Sequence, residues 1–89
     1  MRQGRYRSRP GLGAFRWRCY HTWLSVHSAA GFPDILAVRG SRLLAIELKS
    51  EKGRVSVEQQ AWLDALSEAG VEVHVIRPSD WDRLVEVAR

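Results

Sequence analysis

An 89-residue chain with a formal net charge of +4 has room for one small domain and one modest core. Its single cysteine, Cys19, excludes an intrachain disulfide, and no Cys/His spacing of the zinc type is present. No apolar run is long enough to span a membrane, the N-terminus is too polar for a signal peptide, and the lone thiol fits a reducing, cytoplasmic setting.

The charge is unevenly placed. Residues 1–19 hold six arginines (Arg2, Arg5, Arg7, Arg9, Arg16 and Arg18) and no acid, while the remainder sets eight basic residues against all ten acids. The basic character therefore belongs to an N-terminal arm, residues 1–16, and the packed domain is expected over 17–89. Such an arm attracts polyanions, nucleic acid first and acidic membrane surface second. Tyr6, Phe15 and Trp17 interleave with the arginines and could stack on bases, although an unstructured terminus explains the composition equally well.

Trp17 to Val26 is rich in aromatic and β-branched residues and is predicted to be a strand, followed by a loop over Ser28 to Gly31. Pro33 can open a strand, and Ile35 to Val38 is short and apolar, as a buried strand is. Arg39 to Arg42 reads as a hairpin turn with Gly40 free to take a positive φ. In the next strand, Leu43 to Lys49, Leu44, Ile46 and Leu48 share one face; Leu43, Ala45, Glu47 and Lys49 share the other. After a polar loop, Ser56 is a helix N-cap with Gln59 three residues on, as in a capping box. Trp62, Leu66 and Ala69 mark a helical stripe flanked by Leu63, Asp64 and Glu68 face outward, and Gly70 stops the helix. Val71 to Ile76 alternates as a strand with one more polar face, near an edge of the sheet. Pro78 then breaks the chain, and Ser79 is expected to cap a last helix with Asp80 and Asp82 in its first turn and Trp81, Leu84, Val85 and Ala88 inward. The order strand-strand-strand-helix-strand-helix predicts an α/β fold with a mixed sheet of about four strands.

Asp34, Glu47 and Lys49 carry the chemistry. A hairpin brings Asp34 on its first strand near Glu47 and Lys49 on its second. Two carboxylates can hold Mg²⁺ on a phosphodiester, polarising it and lowering the pKa of a bound water, and an ammonium group can stabilise the charge that develops. An isolated Glu-x-Lys is most often a salt bridge on a solvated strand. Here it is joined by Gly-x-Pro-Asp before it, apolar flanks on both strands, and Ser-x-x-Gln after it. Only two of the 14 basic residues are lysines, Lys49 and Lys52. His21 and His27 flank the first strand within possible reach of a phosphate, though a lone histidine is more often an ordinary polar neighbour. His74, Trp62 and Trp81 read as structural, and Ser25 and Ser28 have no base at a recognisable spacing.

Gly31-Phe32-Pro33-Asp34, Glu47-Leu48-Lys49, Ser56 to Leu63, Ala69-Gly70-Val71 and Arg77 to Asp80 together resemble the PD-(D/E)XK nuclease superfamily. More narrowly, over residues 19–88, they resemble the VRR-NUC family in its small stand-alone form from bacteriophages and prophages. The resemblance implies a restriction-endonuclease-like sheet with flanking helices. It implies Asp34 and Glu47 as ligands of Mg²⁺ or Mn²⁺ with the Leu48 carbonyl as a third, Lys49 as the catalytic lysine, and Gln59 as a further site residue. A capping box with Ser56 accounts for Gln59 without catalysis. The implied activity is metal-dependent cleavage of DNA, on branched substrates such as Holliday junctions, by a homodimer. Arg16, Arg18, His21, Lys52 and Arg54 are then candidate DNA contacts. The family usually begins with a helix bearing a glutamate that completes the site, and no acid precedes Asp34 here. Two further readings follow: a DNA-binding module that keeps the nuclease fold without turnover, and a small interaction domain whose charged strand residues only pair with one another.

Overall fold

Two apolar runs on either side of Gly40 fold back on each other as β2 (Ile35–Arg39) and β3 (Arg42–Leu48). Gly40 turns the chain at φ 61°, a left-handed backbone that glycine takes without cost, and Arg39 pairs with Arg42 across the turn. The computed structural model describes residues 15–22 and 30–89. Within them β1 (Arg18–His21) pairs antiparallel with β2, β2 antiparallel with β3, and β3 parallel with β4 (Glu72–Ile76), so the sheet order is β1-β2-β3-β4. A parallel pair needs a long crossover, and helix α1 (Val57–Glu68) supplies it between β3 and β4. Pro78–Asp80 forms a 3₁₀ turn and helix α2 (Trp81–Ala88) closes the chain. The architecture is the α/β mixed sheet with two helices that the element order predicts.

Alternation along β3 decides what each helix covers. Leu44 and Ile46 join Trp17, Ile35, Ala37 and Ile76 in one cluster, sealed by Leu84 and Ala88 of α2. Full burial of Leu44 and Ile46 contributes roughly 1.5–3 kcal/mol each. Ala45 and Glu47 project to the opposite face and are also buried, as is Leu63 of α1. This second face carries the polar chemistry, so α2 stabilises the sheet while α1 frames the site.

Trp17 ties the start of the described chain to its end. Its indole N–H donates to the Ala88 carbonyl at 2.8 Å, and the guanidinium groups of Arg39 and Arg42 lie over its ring at 4.5 and 5.0 Å. Arg39 also donates to the carbonyls of Phe15, Ala88 and Arg89, meeting the negative end of α2 with a cation. Trp17 is therefore a core residue, 4% exposed, and is not available to stack on bases. Phe15, counted with the arm, packs against the same core.

Three local expectations are corrected. The strand predicted from Trp17 to Val26 is β1, Arg18–His21, and residues 23–29, with His27, Ser25 and Ser28, lie outside the described residues. Ser79 does not cap α2: its hydroxyl and its N–H both donate to the Glu51 carboxylate, and Pro78–Asp80 turns as a 3₁₀ segment before the helix begins at Trp81. Trp81 is 45% exposed, because Leu84 and Ala88 one turn apart on α2 already fill the space above the sheet. Among the described residues, no helix is long and apolar enough to cross a membrane.

Candidate active site

The register of the hairpin fixes the central pair. Ile35 sits opposite Ile46, so the next position outward sets Asp34 beside Glu47 on the same face. Asp34 Oδ2 accepts the Leu48 N–H at 2.8 Å, which anchors its carboxylate at the end of β3. Lys49 lies one residue beyond the strand. Its N–H still bonds the Ile76 carbonyl at 3.0 Å, so the side chain keeps the alternation and shares the face of Glu47. Lys49 Nζ is 3.7 Å from Glu47 Oε2.

Helix α1 completes the framing. Ser56 Oγ accepts the Gln59 N–H at 3.1 Å, and Gln59 Oε1 accepts the Ser56 N–H at 2.8 Å, a closed capping box. The remaining donor of the same amide, Gln59 Nε2, reaches Glu47 Oε2 at 2.9 Å. Capping and site contact, open alternatives in the sequence, are met by one side chain with its two ends.

Gly31 sets the spacing between α1 and the Pro33-Asp34 segment. Its φ is 82°, and a Cβ there would stand 2.7 Å from the Glu58 carbonyl carbon and 2.8 Å from the Gln59 nitrogen. Only glycine lets the loop lie this close to the first turn of the helix. Phe32 beside it meets Trp62 edge to face at 4.9 Å, Pro33 is buried, and Thr22 Oγ1 donates to the Pro33 carbonyl at 2.7 Å. Asp34 is thus held from both sides.

Glu47 is 2% exposed, and its Oε1 is buried with no hydrogen-bond partner. Burial raises its pKa and the charge of Asp34 raises it further, while Lys49 pulls the other way. An orphaned anionic oxygen beside a second carboxylate fits a hard divalent cation. Among the described residues, no group of three or more His, Cys, Asp or Glu gathers anywhere. Mg²⁺ needs no more than one or two carboxylates when phosphate and water fill its other positions. The pair therefore fits such an ion.

The candidate contact residues scatter. Lys52 and Arg54 are exposed in the loop between β3 and α1. Arg16, with φ 70°, just before β1, and Arg18, the first residue of β1, are exposed. Arg18 pairs with Val38 and so shares the face of Asp34, toward the far end of the sheet. His21 pairs with Ile35 and belongs to the opposite face. His74, half-buried on the edge strand, lies 3.3 Å from the Arg83 guanidinium, and burial and that cation lower its pKa.

The sequence offers Arg77 only as part of the Arg77 to Asp80 stretch, with no role at the site. Arg77 Nη1 donates to the carbonyls of Ser50, Glu51 and Gly53 at 2.7, 3.2 and 2.7 Å, tying down the loop that follows Lys49. A lone arginine before a proline shows nothing of this, because its acceptors are backbone carbonyls some 25 positions away.

Comparison with known proteins gives a family and a fold. Residues 14–80 match the family model described as the VRR-NUC domain. Among solved structures, the chain is similar to a Holliday junction resolvase of the archaeal hyperthermophile Archaeoglobus fulgidus. The TM-score is 0.57 at 22% identity, over 88% of this chain and 94% of that one, a likeness of fold. No curated protein matches the chain.

Proposed function

The chain belongs to the VRR-NUC family, and from that premise we propose that it is a divalent-metal-dependent DNA endonuclease acting on branched or structured DNA. The observation that carries this reading is the cross-strand pair Asp34 and Glu47, with Glu47 Oε1 buried and without a protein partner. The resolvase of similar fold supports branched DNA as the substrate class.

Asp34 and Glu47 would hold Mg²⁺ or Mn²⁺, and the Leu48 carbonyl is the natural third ligand. In an antiparallel ladder a residue's N–H and C=O point to the same side, and the Leu48 N–H already points to Asp34. When bound, the ion supplies Lewis-acid polarisation of the scissile phosphate and a water of lowered pKa. The chain's own residues do the rest. Lys49 presents its ammonium group where charge develops on the phosphate. Gln59 holds Glu47 through Oε2 and leaves Oε1 without a protein partner. Lys52, Arg54, Arg16 and Arg18 are exposed cations suited to the phosphate backbone, and the basic arm adds to them. Tyr20, Val38 and Leu43, exposed on the face of Asp34, give a second copy of the chain an apolar surface to cover, which supports a homodimer.

The test is cleavage of a branched junction and of a linear duplex by the wild type and Asp34→Ala, in Mg²⁺ and in chelator. The expected result is Mg²⁺-dependent cutting of the junction that falls at least about a hundredfold in the variant, with DNA binding retained. Cleavage that survives the substitution overturns the assignment. The pair's lack of a third acidic or imidazole ligand among the described residues favours one alternative, a DNA-binding module without turnover. That reading predicts binding of the junction with no cutting by the wild type in either Mg²⁺ or Mn²⁺.

A further inference from the structure

The loop from Ser50 to Gly53 lies against the stem of the candidate catalytic lysine. A Cβ built on Gly53 would stand 3.6 Å from Lys49 Cδ and 2.8 Å from Ser50 Oγ, so the backbone there runs alongside the lysine's methylenes. The Lys49 side chain is only 16% exposed, although it lies one residue beyond the end of strand β3 and is followed by polar sequence. What holds the loop down comes from the neighbouring strand. Arg77 leaves the end of β4 and donates from one nitrogen to the carbonyls of Ser50, Glu51 and Gly53. The Glu51 carboxylate in turn accepts the N–H and the hydroxyl of Ser79 at 2.7 and 2.9 Å, so the loop is pinned at two places to the segment before α2. A cation chelating three carbonyls fixes backbone more firmly than a surface ion pair would.

We propose that Arg77 is a positioning residue for cleavage: by clasping the Ser50–Gly53 loop it packs Gly53 against the stem of Lys49 and holds the ammonium group beside Glu47. The inference rests on the nuclease reading and deepens it. A lysine has four rotatable bonds, and without a wall along its stem the ammonium group samples positions well over an ångström apart. Misplacement on that scale costs turnover more than it costs substrate affinity. Arg77 touches neither carboxylate, so its loss reaches them through the loop and Lys49.

The chain has only two lysines, which makes the test direct. Reductive methylation of the folded protein, read by mass spectrometry, reports on Lys49 with the exposed Lys52 as an internal reference. In the wild type Lys49 is expected to react several-fold more slowly than Lys52. In Arg77→Met the gap closes, while amide exchange of β2 and β3 stays as in the wild type. On junction DNA the same variant is expected to lose about tenfold to a hundredfold in kcat with KM within about twofold. Glu51→Ala, which releases the loop's other tether to Ser79 without removing Arg77, shifts both readouts in the same direction, and serves if Arg77→Met does not fold. Unchanged Lys49 reactivity in both variants overturns the proposal, as does an unchanged kcat in a variant whose Lys49 is unmasked. A wild type that cuts no DNA, while Arg77→Met still exposes Lys49, counts against the nuclease reading and leaves the clasp of the lysine standing.

Discussion

Gln59 donates through Nε2 to Glu47 Oε2 at 2.9 Å while its Oε1 accepts the N–H of Ser56, so one amide both starts helix α1 and orients the buried carboxylate. The two roles can be separated. In Gln59→Glu the side chain still accepts the Ser56 N–H, so the capping box closes and the helix remains. The donor to Glu47 is replaced by a second negative charge. The expected outcome is an unchanged helical circular dichroism signal with cleavage reduced by about tenfold or more. A variant that cuts as fast as the wild type would confine Gln59 to the cap.

Glu47 is a cost to the fold. Its native pKa is raised, by burial first and by Asp34 second, so the folded state holds the proton more tightly than the unfolded chain does. Stability from this group is therefore greatest below the unfolded carboxylate pKa and falls as pH rises through the raised native value. Glu47→Gln, which removes the charge and keeps the shape, should raise the Tm measured in chelator at about pH 7 by several degrees, with little difference at about pH 4. A lowered Tm at neutral pH would mean that the protein compensates the buried charge better than its surroundings indicate.

Glu72 behaves in the opposite sense. Arg42 grips both its oxygens at 2.8 and 2.9 Å and also donates to the Val87 carbonyl, linking β3, β4 and α2 at the end of the sheet away from the site. The bond from Arg42 lowers the Glu72 pKa below the ordinary value. The stabilisation is present above the unfolded carboxylate pKa and is lost as pH falls through the depressed native one. Glu72→Gln should lower the Tm modestly at about pH 7, and the difference should vanish near about pH 3, as thermal melts across that range would show. Cleavage at neutral pH should not change.

Gly31→Ala tests the seat of Asp34. At φ 82° an alanine is strained by about 1–2 kcal/mol, and its methyl would overlap the backbone of Glu58 and Gln59. The variant is expected to be less stable by at least that amount in urea unfolding, and to lose cleavage beyond what stability explains, because Asp34 and α1 must move apart. Full activity at a temperature well below its Tm would show that the spacing is not critical.

The elements and the central pair were legible because periodicity reports faces. Alternation along Leu43 to Lys49 separates Leu44 and Ile46, which meet α2, from Ala45 and Glu47 on the other face, where Glu47 meets Gln59 of α1. The hairpin turn at Gly40 then makes Asp34 the cross-strand neighbour of Glu47. What escaped the sequence depends on backbone acceptors and on competition for space. Trp17 reads as a strand residue that could stack on bases, yet its indole finds the Ala88 carbonyl 71 positions away. Ser79 has the residue type of a cap, but Glu51 captures both its donors first. The acceptors of Arg77 are carbonyls, which carry no side-chain signature at all.

The claim on which all of this depends is that Asp34 and Glu47 share one divalent cation. A calorimetric titration of Mn²⁺ into the wild type, Asp34→Asn and Glu47→Gln measures it without DNA and without turnover. One saturable site in the wild type, lost in both variants while their folds persist, is the predicted result. Equal binding heats in all three proteins, or none in the wild type even with junction DNA present, would contradict it.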